Sequence, residues 1–221
     1  MTLTVQAWAD VACPLSYLCR GRLAEAIRRY HQAGGHHEVV VEYRSFELAS
    51  DTPADYDGNE IDFLTSFRGM TPAEADTALS RLANVAAAEG LTLNFNQVRH
   101  ANSRKAHELV HHAKTNGVQE AMVDRLMRAY FTEGRNIASI DELCDLATDI
   151  GLDRSSAHDA LAANAYAAAV ADDIEQAAFY RIRVLPFFLI GPKHGVSGAH
   201  DVGYYLEVLT KVADAADAAD E

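Results

Sequence analysis

Long apolar runs are missing from this sequence. The densest one, residues 184–191, is far shorter than the roughly 18 residues that a membrane-spanning helix needs. Basic residues are scarce too, with 19 Lys and Arg against 32 Asp and Glu, for a formal net charge of -13. That charge has the wrong sign for binding nucleic-acid phosphates or anionic lipid. We therefore expect neither nucleic acid nor a membrane as a partner.

Cysteine is the next scarce residue, with only Cys13, Cys19 and Cys144. An odd count of three makes a framework of structural disulfides an unattractive interpretation. The first 14 residues have no basic region and no long apolar core, so they do not resemble a secretory signal. We therefore expect a cytoplasmic protein whose thiols are either reactive or simply buried.

The 221 residues are nevertheless 49% hydrophobic and 23% charged, a composition that supports a folded core and excludes a mostly disordered chain. Strand patterns occur only near the two ends, at residues 3–9, 38–46, 187–190 and 195–197. A helix is predicted between the first two strands and another over 201–213. This order predicts an α/β fold, a small mixed sheet with flanking helices.

Between these ends, the pattern over roughly residues 60–165 predicts an all-helical block with no strand of any length. Thr71 with Glu74, and Ser139 with Glu142, have the spacing of capping boxes at helix starts. Helical spacing resumes over 155–180. The block therefore predicts a helical insertion within the α/β fold.

The strongest chemical signal is Cys13-Pro14-Leu15-Ser16, which lies between the first predicted strand and the first helix. Pro14 suits the first position of that helix. A thiolate before it would face unpaired amides and the positive end of the helix dipole, which predicts a lowered pKa for Cys13. The Ser16 hydroxyl, one turn on, could donate to the sulfur, whereas the nearby Asp10 would oppose the shift. From the spacing alone, a small buried cysteine is an equally good interpretation.

Four segments carry a family resemblance: DVACPLSYL, AHELVHHAKTNGVQ, AYFTEGRNI and VLPFFLIG…GVSGAH. They resemble the DsbA-like branch of the thioredoxin superfamily, in particular the FrnE-type dithiol-disulfide isomerases. The resemblance implies a thioredoxin-like domain formed by residues 1–50 and 166–221, interrupted by a helical insertion domain at 51–165. It also implies that Cys13 is the attacking cysteine of a Cys-x-x-Cys motif, and that Leu185-Pro186 is a cis-proline loop facing it.

One departure from that family matters, because Ser16 stands where the family has its second cysteine. Cys19 is no obvious substitute, since six residues of helix span about 9 Å and a disulfide needs Cα atoms within about 7 Å. The sequence does not show how close Cys144 comes to Cys13. Packing is the favoured role for both other cysteines.

The same segment also resembles the Ser-Pro-x-Ser motif of kappa-class glutathione transferases and 2-hydroxychromene-2-carboxylate isomerases. That resemblance implies that Cys13 approaches the glutathione sulfur and that Leu185 pairs with the glutathione backbone. The matching turn for the γ-glutamyl end is Ser197, Gly198, Ala199 and His200. Cysteine at the first position departs from that pattern and favours mixed-disulfide chemistry.

A rival motif, His107-Glu108-Leu109-Val110-His111, formally matches the zinc-protease pattern H-E-x-x-H. No further histidine follows in the G-x-x-H position, and the segment lies inside the family resemblance, which implies no metal. A packed or solvated helix face is therefore favoured, and we expect no metal site. The pairs His36-His37 and His111-His112 are likewise expected at the surface.

The leading hypothesis is a cytoplasmic thiol-disulfide oxidoreductase or isomerase with one active thiol. The expected substrates are disulfide-containing proteins or mixed disulfides of glutathione. Glutathione is expected as a co-substrate and no cofactor as tightly bound; a homodimer is one option for the assembly. The alternatives are a glutathione-dependent isomerase or transferase for small aromatic substrates and a redox-inactive binding module.

The candidate catalytic residues are Cys13, Ser16 and Pro186. The candidate substrate-binding residues are Pro14, Leu15, Leu185, Ser197, Gly198, Ala199 and His200.

Overall fold

A computed structural model describes residues 2–220 of the chain. Two compact units emerge from its internal contacts: a sheet unit, Met1–Phe46 with Asp173–Glu221, and a helical unit, Glu47–Asp172. The elements in chain order are β1 (Thr2–Ala9), α1 (Pro14–Gln32), β2 (Glu38–Ser45), β3 (Gly58–Asn59), α2 (Glu60–Arg68), α3 (Pro72–Ala88), β4 (Arg99–His100), α4 (Arg104–Thr115), α5 (Gln119–Phe131), α6 (Ile140–Asp149), α7 (Arg154–Ala162), α8 (Ala167–Phe179), β5 (Phe187–Ile190), β6 (His194–Ser197) and α9 (Val202–Asp220).

The unit boundaries differ slightly from the sequence-based ones at 50/51 and 165/166. The first lies earlier, directly after Phe46, which packs on the core cluster around Trp8. The second lies inside α8, because the Asp173 carboxylate is already tied to the sheet unit. It accepts a hydrogen bond from the Ser45 amide at 2.8 Å and pairs with Arg44 at 3.1 Å.

The sheet unit contains a four-stranded mixed sheet in the order β2-β1-β5-β6. β1 runs parallel to β2, while β1 with β5 and β5 with β6 pair antiparallel. Helices α1 and α9 pack against each other. In the register, Trp8 lies opposite Phe187, so the carboxyl end of β1 and the start of β5 meet at the same end of the two central strands. At that end the chain continues from β1 toward α1, and Pro186 directly precedes β5.

The helical unit departs from its sequence-based description in two places. β3 and β4 form a two-residue antiparallel ladder, with Gly58 opposite His100, so the block is not free of strands. Such a short ladder leaves no periodic pattern to read. The helix expected over 155–180 is two helices, α7 and α8. A turn separates them in which Asn164 adopts the left-handed conformation (φ 53°).

The two predicted capping boxes differ in outcome. Thr71 accepts from the Glu74 amide and the Glu74 carboxylate accepts from the Thr71 amide, so the box at α3 is complete. At α6, Ser139 accepts from the Glu142 amide at 3.4 Å, but the Glu142 carboxylate instead accepts from the Asn136 amide at 3.0 Å. The second box is therefore only half formed. Within residues 2–220, no helix is both long and apolar enough to cross a membrane.

Candidate active site

Cys13 is the residue that caps the start of α1, and Pro14 occupies the first turn, as the sequence predicts. A tight turn delivers the cysteine to this position. The Asp10 carbonyl accepts a hydrogen bond from the Cys13 amide at 3.0 Å, and the Asp10 carboxylate accepts one from the Ala12 amide at 2.9 Å. The backbone amides of Leu15 and Ser16 both favour the thiolate, so the sulfur faces the open end of the helix.

The predicted lowering of the Cys13 pKa is wrong. Burial raises the pKa of the Cys13 thiol from its ordinary 9.0 to about 11, and only 3% of the residue is exposed. The Ser16 hydroxyl, the two helix amides and the opposing Asp10 charge act in the predicted directions, but the desolvation outweighs them. The resting thiol is therefore neutral at pH 7.

Ser16 is buried one helical turn after Cys13. Its hydroxyl lies close enough to the sulfur to lower the thiol pKa. No partner within residues 2–220 meets full hydrogen-bond geometry with its oxygen. The contact between the hydroxyl and the sulfur is therefore looser than a standard hydrogen bond.

The loop before β5 lies beside the thiol. Leu185 is 4% exposed and belongs to the same buried cluster as Cys13, together with Trp8, Ala177 and Ile182. The Leu185–Pro186 peptide bond is cis, the isomer that the family resemblance implies. The structure thus brings together the first residue of the motif and the loop that was expected to face it.

The turn between β6 and α9 is tied to that loop and to α1. The Gly198 amide donates to the Pro186 carbonyl at 2.8 Å, and Gly198 has a positive φ of 82° that favours glycine. Arg22, on α1, donates to the His200 carbonyl at 2.9 Å. The His200 amide donates to the buried Tyr205 hydroxyl at 3.4 Å. Ser197 to His200 are therefore held next to the Pro186 loop.

The remaining candidates lie at the accessible rim of this arrangement. Pro14 and Leu15 are half-buried, and Leu15 packs on the cluster that contains Cys13. Ser197 and Ala199 are exposed. The His200 ring stacks on Tyr204 with centroids 4.2 Å apart.

An aromatic surface beside the thiol was missed in the sequence. Phe179 is 81% exposed and Val184 is 53% exposed, with the half-exposed Tyr180 between them. Tyr180 packs edge-on against Trp8, with ring centroids 5.6 Å apart. Trp8 belongs to the same buried cluster as Cys13. The sequence signal for this surface was the adjacent pair Phe179-Tyr180, which lies a few residues before the proline loop.

The other two cysteines are buried, and neither forms a disulfide in the described part of the chain. Cys19 interacts with the Tyr205 hydroxyl, whose pKa is raised mainly by burial and then by this neighbour. Both thiols therefore have packing environments, the interpretation favoured from the sequence.

The H-E-x-x-H segment lies on α4 with all three of its polar residues buried. Glu108 pairs with Lys105 at 2.9 Å, and the His111 ring stacks on Tyr166. Neither histidine of the segment belongs to a set of three metal-ligating atoms within the described residues. The surface placement expected for His111-His112 is wrong, because both residues pack into the helical unit.

Comparison with known proteins gives a consistent family. The family model of the DSBA-like thioredoxin domain matches residues 4–209. A probable DsbA oxidoreductase from Streptomyces coelicolor is 32% identical in sequence. Its structure superposes with a TM-score of 0.86, covering 95% of this chain and 89% of that one. The protein YwbO of Bacillus subtilis is 27% identical over 199 residues, covering 86% of this chain and 88% of YwbO.

A more distant structure shares the fold alone. The cytosolic disulfide reductase DsbM from Pseudomonas aeruginosa, in a structure with glutathione, superposes with a TM-score of 0.61 at 19% identity. The superposition covers 97% of this chain and 98% of DsbM. The small mixed sheet with its flanking helices is thus the thioredoxin fold of DsbA-like proteins.

Proposed function

Since the chain belongs to the family of DSBA-like thioredoxin domains, whose members include thiol-disulfide oxidoreductases, we propose that it is a one-thiol enzyme of this kind, of the FrnE type and cytoplasmic. Its substrates are mixed disulfides between glutathione and a protein or small thiol. The observation that carries this proposal is the placement of Cys13. The thiol lies at the start of α1 beside the Leu185–Pro186 loop, with a serine at the position of the second thiol.

The proposed cycle has two exchange steps. The Cys13 thiol loses its proton to solvent, and the thiolate attacks the glutathione sulfur of the substrate. A Cys13–glutathione disulfide forms, and the substrate thiolate leaves and takes up a proton. A second glutathione thiolate then attacks the bound glutathione sulfur and releases oxidised glutathione and the Cys13 thiolate. Per turnover, one mixed disulfide is reduced and two glutathione units leave as one disulfide.

The raised pKa of Cys13 affects both steps. A thiol with a pKa of about 11 is rarely ionised at pH 7, but its thiolate is a strong nucleophile and a poor leaving group. Expulsion of Cys13 in the second step is therefore disfavoured. Attack by the rare thiolate in the first step is slowed as well, so we expect a slow enzyme that works as a reductase rather than as an oxidase.

The rim residues supply recognition in this proposal. The Leu185 backbone pairs with the glutathione backbone, and the turn of Ser197, Gly198, Ala199 and His200 holds its γ-glutamyl end. The Gly198 amide is hydrogen-bonded to the Pro186 carbonyl, so the turn and the proline loop hold their two parts of glutathione in a fixed relation. Pro14 and Leu15 line the approach to the sulfur, and Ser16 stabilises the developing thiolate.

A second candidate function follows from the same neutral thiol. A buried Cys13 S–H could donate a hydrogen bond to the thiolate of bound glutathione, without forming a disulfide. The site would then activate glutathione for the isomerisation or conjugation of a small aromatic compound. The exposed aromatic side chains of Phe179 and Tyr180 favour this candidate, because they offer a stacking surface near the sulfur.

The test is glutathione-dependent reduction of a glutathionylated peptide. Wild type is compared with Cys13→Ser and with Cys144→Ser, a matched loss of another buried thiol. We expect Cys13→Ser to lower the rate by roughly a hundredfold or more, and Cys144→Ser to leave it nearly unchanged. If Cys13→Ser keeps the rate, the proposal is wrong. Glutathione binding without any reduction would favour the isomerase, and no binding at all would favour a redox-inactive module.

A further inference from the structure

A cluster of three metal-ligating side chains lies in the sheet unit: His36 and His37, just before β2, and Asp217, near the end of α9. The Nε2 atoms of His36 and His37 lie 3.3 and 2.9 Å from the same oxygen, Asp217 Oδ1. All three ligand atoms lie within 4.8 Å of one another. We infer that the cluster is a binding site for a divalent late transition metal such as Zn²⁺.

The distances fit such an ion. Zn²⁺ binds histidine nitrogen and carboxylate oxygen at about 2.0–2.1 Å, usually in a tetrahedron, whose ligand atoms lie about 3.3 Å apart. The two nitrogen–oxygen separations are close to that edge length. Two histidines and one carboxylate leave a fourth position for water or another ligand. Imidazole-rich sites of this kind suit Zn²⁺, Ni²⁺ and Cu²⁺ better than Mg²⁺ or Ca²⁺.

The backbone before β2 allows the two imidazole rings to lie side by side. His36 and His37 lie before β2, with His37 at a bend, so the alternation of side chains along a strand does not separate them. Their rings lie together, with centroids 4.3 Å apart. The preceding turn makes this geometry accessible. Gly34 has a positive φ of 96°, and Gly35 passes so close to the Tyr30 ring that a Cβ there would overlap it.

Burial of one ligand is the second observation. His37 is only 2% exposed, whereas the side chains of His36 and Asp217 are 65% and 46% exposed. The expected surface placement is therefore wrong for His37. Without a metal, both imidazoles approach one carboxylate oxygen as N–H donors. With a metal bound, both Nε2 atoms present lone pairs to the ion, and the buried His37 ring is already held in place.

The position in the fold separates this site from the thiol. His37 precedes Glu38, which lies opposite Thr2 at the start of β1, whereas Cys13 follows the far end of β1. A metal here would join the segment before β2 to the end of α9. The inference therefore concerns a binding and stabilising site, and it does not depend on the proposed redox function.

The experiment is Zn²⁺ titration of the chelator-treated protein against a chromophoric competitor. The comparison set is wild type, His36→Ala, Asp217→Asn, Cys13→Ser and His158→Ala. The last is a matched control, because His158 is half-exposed and lies 3.6 Å from Asp159, and among residues 2–220 this pair is not part of a three-ligand cluster. His36 is exposed and the Asp217 side chain is 46% exposed, so their substitution should not unfold the chain.

We expect one Zn²⁺ per wild-type chain, with affinity at least about tenfold weaker in His36→Ala and in Asp217→Asn. Cys13→Ser and His158→Ala should bind like wild type. Zn²⁺ should also raise the Tm of wild type but not of Asp217→Asn. The inference is overturned if wild type binds no Zn²⁺, if His36→Ala and Asp217→Asn bind as well as wild type, or if Cys13→Ser removes the binding.

Discussion

The burial of Cys13 has a direct kinetic consequence. At pH 7, a thiol with a pKa of about 11 is ionised in about one molecule in ten thousand, against about one in a hundred at the ordinary 9.0. The thiolate of the weaker acid is intrinsically more reactive, by about sevenfold for a two-unit difference. At pH 7, Cys13 is therefore expected to react as a nucleophile about tenfold more slowly than an ordinary thiol. The rate of this reaction should rise about tenfold per pH unit up to about pH 10.

The assay is alkylation by iodoacetamide in a Cys19→Ser, Cys144→Ser background, followed by mass spectrometry between pH 7 and 11. The slope with pH is the diagnostic quantity, because burial also slows the approach of the reagent at every pH. Ser16→Ala in the same background removes a hydroxyl that favours the thiolate, so its rate at pH 9 should fall below that of the parent. A plateau at or below pH 9 would refute the reasoning, because it would mean that the helix amides outweigh desolvation.

Two further changes test the local geometry. Ser16→Cys places a second thiol one helical turn from Cys13, within disulfide reach. Thiol counting should show an internal disulfide, and oxidation of a reduced test protein should rise above the wild-type rate; a closed disulfide without oxidation would argue against an exchange site. Arg181→Gly relieves a non-glycine residue at φ 56° and should stabilise the fold by about 0.5–1 kcal/mol in urea unfolding. Arg183→Gly, at a position without positive φ, should not stabilise, and equal gains in both variants would contradict this explanation.

Much of the sheet unit was predictable because its signals are local. The alternation along β1 and the proline after Cys13 each depend on a few neighbouring residues. The family resemblance supplied what local patterns cannot, the pairing of the Leu185–Pro186 loop with a thiol more than 170 residues earlier. The short β3–β4 ladder gave no signal, since two residues carry no period.

The error on Cys13 has a different origin. Helix amides and the Ser16 hydroxyl are sequence neighbours, so their effect on the pKa could be predicted in direction. Desolvation is a matter of burial, and Cys13 is buried in a cluster with Ala177, Ile182 and Leu185, which are more than 160 residues away in sequence and meet it only in the folded sheet unit. The same holds for His37, whose burial and contact with Asp217 depend on where α9 ends.

The central claim is that Cys13 carries glutathione as a mixed disulfide. The most direct measurement is the intact mass of the native protein after incubation with oxidised glutathione at pH 8, followed by peptide mapping. The account predicts one glutathione per chain, attached to Cys13, removed by excess reduced glutathione and absent from Cys13→Ser. An unmodified native protein, or an adduct on Cys144 in place of Cys13, would contradict it.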